Sequence, residues 1–181
     1  MKLLFIGPPG AGKGTQAALV AQRLGIPHIS TGEMFRDHVA QGTDLGREVQ
    51  RIMEEGAYVP DEITVEMLRQ RLLEPDAASG FILDGFPRTA PQVAALDGLI
   101  GPDGLDRVVL FEVDEDILAE RMLARGRADD TEDTIRNRFK IYHEQTAPLI
   151  EIYQNRGVVV QVDGMGSIDE ITDRVLETIH P

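Results

Sequence analysis

Apolar residues fall along this chain in two patterns. The first is the short unbroken run: LLFI at 3–6, FILD at 81–84, VVLFEV at 108–113 and VVVQV at 158–162, with a briefer one from Pro27 to Ser30. Such runs, rich in Val, Ile, Leu and Phe, are too short for buried helices and predict strands that bury both faces. The second pattern spaces apolar residues three and four apart among charged ones. It predicts helices over 15–24, 32–41, 44–55, 61–73, 90–100, 115–125, 131–155 and 168–179. Strands alternating with helices predict an α/β fold of three layers, a central five-stranded parallel sheet with helices on both faces, because parallel neighbours must be joined by crossovers.

Punctuating residues place the ends of these elements. Gly25, Gly56 and Gly126 stand where helices should stop, and Asp61 and Asp130 where they should be capped. Pro148 falls inside the longest helical pattern and, lacking an N–H, is expected to kink or divide it. Two stretches break the alternation. Residues 30–59 supply two helices and no strand of their own, and RGRADDTED (125–133) is a charged loop between helices. Both are expected to move over a ligand.

The 181 residues, 42% of them hydrophobic, suffice for one core, and no Ser-, Pro- or Gly-rich linker divides them, so 1–181 is expected to be a single domain. The apolar run after Lys2 is too short for a signal-peptide core and no later run approaches a bilayer span, which places the protein in the cytoplasm. A formal charge of −13 disfavours nucleic acid and membrane surfaces as partners. There is no cysteine, and His28, His38, His143 and His180 are too scattered for a ligand motif. Among the 18 basic residues only Lys2, Lys13 and Lys140 are lysines. The arginines that remain have planar forks suited to phosphate, so this acidic protein can keep a local anion site while most of its arginines decorate helices.

Chemistry concentrates first in GPPGAGKGT (7–15). Gly10, Ala11, Gly12 and Gly14 leave the backbone nearly bare, so successive amides can turn around a phosphate at the positive end of the following helix, and Lys13 can reach the outer phosphates. The position after Lys13, where a hydroxyl would meet magnesium, is Gly14, so a metal here is expected to be held mainly by phosphate oxygens and water. Thr15 either touches a phosphate or serves only in the first helical turn. FILDGFPRT (81–89) sets a carboxylate, Asp84, at the carboxyl end of a strand, where α/β sheets bind ligands. Ser30 or Thr31 is expected to cap the next helix. Arg121 and Arg125, four apart, share a helix face.

GPPGAGKGT resembles the phosphate loop of adenylate kinases and related nucleoside monophosphate kinases. STGEMFR (30–36), FILDGFPRT with Gln92, and GRADD (126–130) with Arg138 and TAPLI (146–150) match that family in order, from the first strand to the last helix. The resemblance implies a P-loop α/β/α fold with a helical NMP-binding insertion at 30–59 and a short lid at 126–132, the form without structural zinc. It puts Thr31 beside the adenine of AMP and Arg36 on its phosphate, with Ala57, Tyr58 and Val59 as a backbone edge of the same pocket. Gly85, Phe86, Pro87 and Arg88 would contact AMP, Arg88 clamping the phosphate, and Gln92 would read the adenine edge. ATP would take Gly10 to Thr15, with Arg121 on its base, Arg125 on its γ-phosphate and Gly166 as a backbone contact. Arg127 and Arg138 would bridge lid and phosphates, including those of AMP, and Asp84 would organise water around magnesium.

The activity implied is ATP + AMP ⇌ 2 ADP with Mg2+, by a monomer. Lys13, Arg88, Arg125, Arg127 and Arg138 would neutralise the transferring phosphoryl group. The adjacent Asp129 and Asp130 suggest acid/base catalysis, but phosphoryl transfer depends on positioning and charge, so capping and hinge roles are expected of them, and the resemblance implies that such aspartates hold the closed lid against arginines. A UMP or CMP kinase on the same fold, or a nucleotide-gated P-loop binding protein, are the alternative readings.

Overall fold

Leu3 and Phe5 face one way and Leu4 and Ile6 the other, yet all four are buried, so β1 (Lys2–Ile6) must be covered on both sides. In the computed structural model, which describes residues 1–127 and 130–179, β1 is the middle strand of a five-stranded parallel sheet. Its order is β2-β3-β1-β4-β5, with β2 (His28–Ser30), β3 (Phe81–Asp84), β4 (Arg107–Glu112) and β5 (Val159–Asp163). The expected α/β sandwich is therefore the observed one.

One face of the sheet packs Leu3, Phe5, Ile82, Val109 and Phe111 against α1 (Lys13–Leu24), α6 (Glu115–Arg125) and α9 (Ile168–Ile179). The other packs Leu4, Ile6, Leu83 and Val108 against α4 (Asp61–Leu72), α5 (Ala90–Ile100) and α8 (Leu149–Asn155). Each large side chain so buried contributes about 1.5–3 kcal/mol. A smaller cluster of Phe35, Val49, Val59 and Met67 holds α2 (Thr31–Ala40) and α3 (Asp44–Glu54) to α4. Residues 30–59 thus carry an apolar nucleus of their own at one side of the sheet.

Several local expectations changed on folding. Asp61 caps nothing: the N-cap of α4 is Pro60, and the Asp61 carboxylate accepts hydrogen bonds from Thr89 and Gln92. Asp130 likewise yields the capping position of α7 (Glu132–Ile141) to Thr131, whose hydroxyl accepts from the Thr134 N–H at 3.2 Å. The Asp61 carboxylate is diverted to partners 28 and 31 residues away, and that of Asp130 to Arg125 and Arg138, five and eight positions off across the charged loop. Ser30 rather than Thr31 caps α2. The long pattern at 131–155 is divided as expected: Pro148 supplies no N–H, and the chain before it widens into a π-turn at Tyr142–Thr146 closed by the Ala147 N–H on the Tyr142 carbonyl. A short 3-10 turn at Pro75–Ser79 had no signal in the apolar pattern.

The order of the strands creates the site. From β1 the chain crosses by α1 outward to β2, while from β3 it crosses by α5 to β4 on the opposite side. The carboxyl ends of β1 and β3 are neighbours whose connections leave in opposite directions, which opens a crevice between them. GPPGAGKGT leaves one side of it and Asp84-Gly85 the other.

Gly46 shows how closely the insertion is packed. A Cβ there would stand 2.0 Å from the His38 carbonyl oxygen, a backbone atom that cannot swing aside. Gly46→Ala should therefore destabilise the protein by about 1–3 kcal/mol, although alanine favours an isolated helix by about 1 kcal/mol. Urea unfolding would measure this, and an unchanged or raised midpoint would contradict the packing argument.

Candidate active site

The phosphate loop owes its shape to glycines in the left-handed region. Gly10 (φ 83°) and Gly12 (φ 88°) turn the chain tightly, and a Cβ on Gly10 would stand 2.7 Å from the Leu118 carbonyl oxygen. Gly12 is also the N-cap of α1 and brings no side chain, so the first amides of that helix are left to an incoming anion. Lys13 bends back to donate to the carbonyls of Gly7 and Pro8 at 2.8 and 2.9 Å. Burial and the nearby Arg88 and Arg125 lower its pKa to about 8, against the opposing pull of Asp84.

Across the crevice, β3 ends in Asp84 and the chain turns at Gly85 (φ 81°). A side chain on Gly85 would meet the Arg88 guanidinium at 2.8 Å and the Thr31 hydroxyl at 3.1 Å. This glycine therefore makes room for Arg88, whose Nε donates to the Gly85 carbonyl at 2.7 Å. Gly32 does the same for Arg36, whose guanidinium would lie 3.3 Å from a Cβ there. Thr31 is buried and donates to the Gly85 carbonyl at 2.9 Å. Gln92 is buried as well, accepting from the Arg88 N–H and donating to Asp61, each at 2.7 Å. Its amide braces the turn that carries Arg88.

Burial alone would raise the Asp84 carboxyl, but His28, 3.6 Å away, together with Lys13 and Arg88 holds it below the ordinary carboxylate range. It is thus an anion across the operating range of the protein. A Cβ on Gly14 would lie 3.4 Å from its Oδ2, so Asp84 faces the position where the loop lacks a hydroxyl. Among the described residues no three His, Cys, Asp or Glu side chains gather into a cation cage. One ionised carboxylate beside a phosphate loop fits a hard cation that keeps most of its water and takes phosphate oxygens as further ligands.

The third wall is the charged loop. Arg121 is held by the Gly164 carbonyl, 3.2 Å from both Nη atoms. Arg125 forms a two-pronged pair with Asp130 at 2.8 and 2.9 Å, and Arg138 bonds the same carboxylate at 2.8 Å. The Asp130 side chain is only 1% exposed. Burial would push its carboxyl up, yet the bond from Arg125 and the charges of Arg125, Arg138 and Arg127 keep it below its usual value. Asp130 is therefore an ionised anchor for arginines. Asp129 lies outside the described residues.

These walls enclose one cleft of about 780 Å³. It brings together Gly10 to Thr15, Thr31, Arg36, Ala57 to Val59, Asp84, Gly85, Pro87, Arg88, Gln92, Arg121, Arg125, Arg127, Arg138 and Gly166. Phe86 is the exception, turned fully into the core after β3. The cleft also takes Phe35, Tyr142, Thr146 and Ile168, for which sequence reasoning implied no site role, although Phe35 lies in STGEMFR and Thr146 opens TAPLI. Tyr142 is buried, and burial raises its phenol to about 12, while it also lines the cleft. For Thr146 the signal was its place at the start of TAPLI, whereas Tyr142 and Ile168 lie outside every matched stretch.

A phosphate loop on one side of a sheet crevice, arginines on the other and more arginines above define a P-loop protein that holds two phosphate-bearing ligands in one cleft. The chain belongs to the adenylate kinase family, whose model matches residues 5–158. It is 52% identical over 181 residues to an adenylate kinase of Nocardia farcinica, covering 99% of both chains. It is 55% identical over 185 residues to one of a Nocardioides species, covering 99% of this chain and 97% of the relative. An adenylate kinase of Kocuria rhizophila is 52% identical over 185 residues, at 99% and 98% coverage.

The lowered Lys13 pKa has a sign that can be tested. Only the ammonium attracts phosphate, and a bound triphosphate raises its pKa again. Above pH 8 binding must therefore take up a proton, and the Kd for ATP should rise towards about tenfold per pH unit. Calorimetry in buffers of different ionisation enthalpy should show uptake near one proton at about pH 9 and little near pH 7. Uptake that stays near zero at both would remove Lys13 as the titrating group.

Proposed function

We infer that this protein catalyses the reversible transfer of the terminal phosphoryl group of ATP to AMP, giving two ADP, and we propose the residues that carry it. Membership of the adenylate kinase family at about half identity over the whole chain supports the activity. What supports the residue roles is that Lys13, Arg88 and Arg125 are close enough in one cleft for each arginine to depress the lysine.

In this reading ATP lies on the phosphate loop, its phosphates against the amides of Gly10 to Thr15 and Lys13, its base near Arg121 and Gly166. AMP lies beside Thr31, Gly85, Pro87 and Ala57 to Val59, its phosphate on Arg36 and Arg88. Arg125, Arg127 and Arg138 complete a positive surround for the transferring group, and preorganised charge of this kind lowers the barrier without a covalent enzyme intermediate. Gln92 sets the Arg88 turn as well as facing the AMP side. Phe86 acts through its backbone, its ring being in the core.

Adenylate kinases generally use Mg2+ with ATP, and Asp84 is the residue proposed to hold its water shell. The ion would neutralise and orient the phosphate oxygens. Residues 30–59 and 126–132 are proposed to close over the cleft, excluding water so that AMP accepts the phosphoryl group. We also assign the protein to the cytoplasm as a monomer. Among the described residues no helix is long and apolar enough to cross a membrane, and the charge of −13 disfavours nucleic acid and anionic lipid.

ADP formation from ATP and Mg2+ with AMP, UMP, CMP, GMP or no acceptor tests the activity. Fast turnover with AMP alone is expected, whereas equal turnover without acceptor would rule out transfer to a nucleotide and preference for UMP would overturn only the choice of base. Arg88→Ala should keep the fold and lose kcat by about 10²–10³-fold. Near-normal kcat in that variant would mean the phosphate clamp lies elsewhere.

A further inference from the structure

The side chain of Tyr58 does something its backbone placement does not suggest. Its ring lies under the Arg88 guanidinium, 5.1 Å from ring centroid to the guanidinium carbon. Its hydroxyl is 2.8 Å from the Thr146 hydroxyl, and Thr146 donates to the Arg88 main-chain carbonyl at 2.8 Å. A hydroxyl has one proton, and Thr146 gives it to a carbonyl that can only accept. The Tyr58 hydroxyl must therefore be the donor to Thr146, and the chain of bonds runs in one direction, Tyr58 to Thr146 to Arg88. Tyr58 grips Arg88 at both ends, the guanidinium by its face and the backbone by its hydroxyl.

Neighbouring structure fixes both partners of this grip. Thr146 is buried and sits at the end of the π-turn that precedes Pro148, so the widened turn aims its hydroxyl at Arg88. Tyr58 follows α3, whose last carbonyls are held from across the cleft: Glu54 accepts from the Thr134 hydroxyl at 2.8 Å and Glu55 from the Asn137 amide at 2.7 Å. These bonds cap the C-terminus of α3 with side chains of α7, eighty residues away in sequence. Any displacement of residues 57–59 is thereby felt at Arg88.

We propose that Tyr58 is a positioning residue for the reaction, its ring and hydroxyl holding the Arg88 guanidinium in the orientation that meets the AMP phosphate. The inference rests on the reading of Arg88 as a phosphate ligand. An arginine has many rotamers, and one stacked on an aromatic face is preorganised before the substrate arrives, so less order is lost on binding. The effect belongs to the acceptor side of the cleft, because the Arg121 and phosphate-loop contacts do not pass through Tyr58.

Steady-state kinetics and equilibrium AMP binding test it. Tyr58→Leu should raise the AMP KM about tenfold and lower kcat several-fold, with the ATP KM within about twofold. Tyr58→Phe keeps the ring and loses only the hydroxyl, and should recover most of the loss, as should Thr146→Ser compared with Thr146→Val. In an Arg88→Ala background, Tyr58→Leu should change AMP affinity by less than about twofold, since the group it positions is gone. Equal losses in both backgrounds, equal effects on AMP and ATP, or unchanged AMP parameters in the single variant would each overturn the role of Tyr58. Normal activity of Arg88→Ala would instead overturn the assignment of Arg88, and the role of Tyr58 with it.

Discussion

Lys13, Arg88 and Arg125 repel one another inside a single half-buried cleft, and much of the surrounding structure can be understood as what makes that tolerable. Burial is the main reason the Lys13 pKa falls to about 8, and the like charges of Arg88 and Arg125 add to it against the opposing pull of Asp84. The protein answers with fixed acceptors rather than with bulk water. Carbonyls of Gly7 and Pro8 take Lys13, the Gly85 carbonyl takes Arg88, the Gly164 carbonyl takes Arg121, and Asp130 takes Arg125 and Arg138. Asp84 and Asp130 stay ionised in buried surroundings because His28, Lys13 and Arg88 offset burial for one and Arg125, Arg138 and Arg127 for the other. A chain of net charge −13 thus maintains a positive pocket suited to phosphates.

Holding cations close together requires space as well as counter-charge. Gly85 and Gly32 provide it, each at a point where a single methyl group would press on a guanidinium. The same economy of volume appears at Gly10 and Gly46, where backbone rather than side chain is the near neighbour. Pro148 works through a different constraint. By removing one N–H from a long helix it produces the π-turn whose last residue, Thr146, reaches the backbone of Arg88. A helix-breaking residue sixty positions from Arg88 in sequence so becomes part of its support.

The insertion at 30–59 is also tied to the helix that follows the charged loop. The C-terminal carbonyls of α3 are capped by Thr134 and Asn137 of α7, and a Cβ on Gly56 would stand 2.9 Å from the Thr134 carbonyl oxygen. Residues 30–59 and the helix after the charged loop therefore share a contact that does not pass through the sheet.

Much of this was legible in the chain itself. Unbroken apolar runs can only be strands covered on both faces, so the layered parallel sheet followed from hydrophobic pattern alone, and Pro148 divided its helix because a missing donor acts locally. Motif spacing likewise brought the phosphate-loop residues, Arg36, Asp84 and Arg88 to one site, since each lies within a few residues of a strand end and the sheet aligns those ends. The carboxylates were different. Asp61 and Asp130 looked like helix caps; Asp61 instead joined Thr89 and Gln92, which only the tertiary structure brings to it, and Asp130 joined Arg125 and Arg138, five and eight positions away across the charged loop. Tyr58 and Thr146 belong with Asp61: their part in holding Arg88 depends on hydrogen bonds and ring contact between residues far apart in sequence, and local pattern carries no information about which distant group will complete a bond, whereas Gln92 reaches the Arg88 N–H from four positions away.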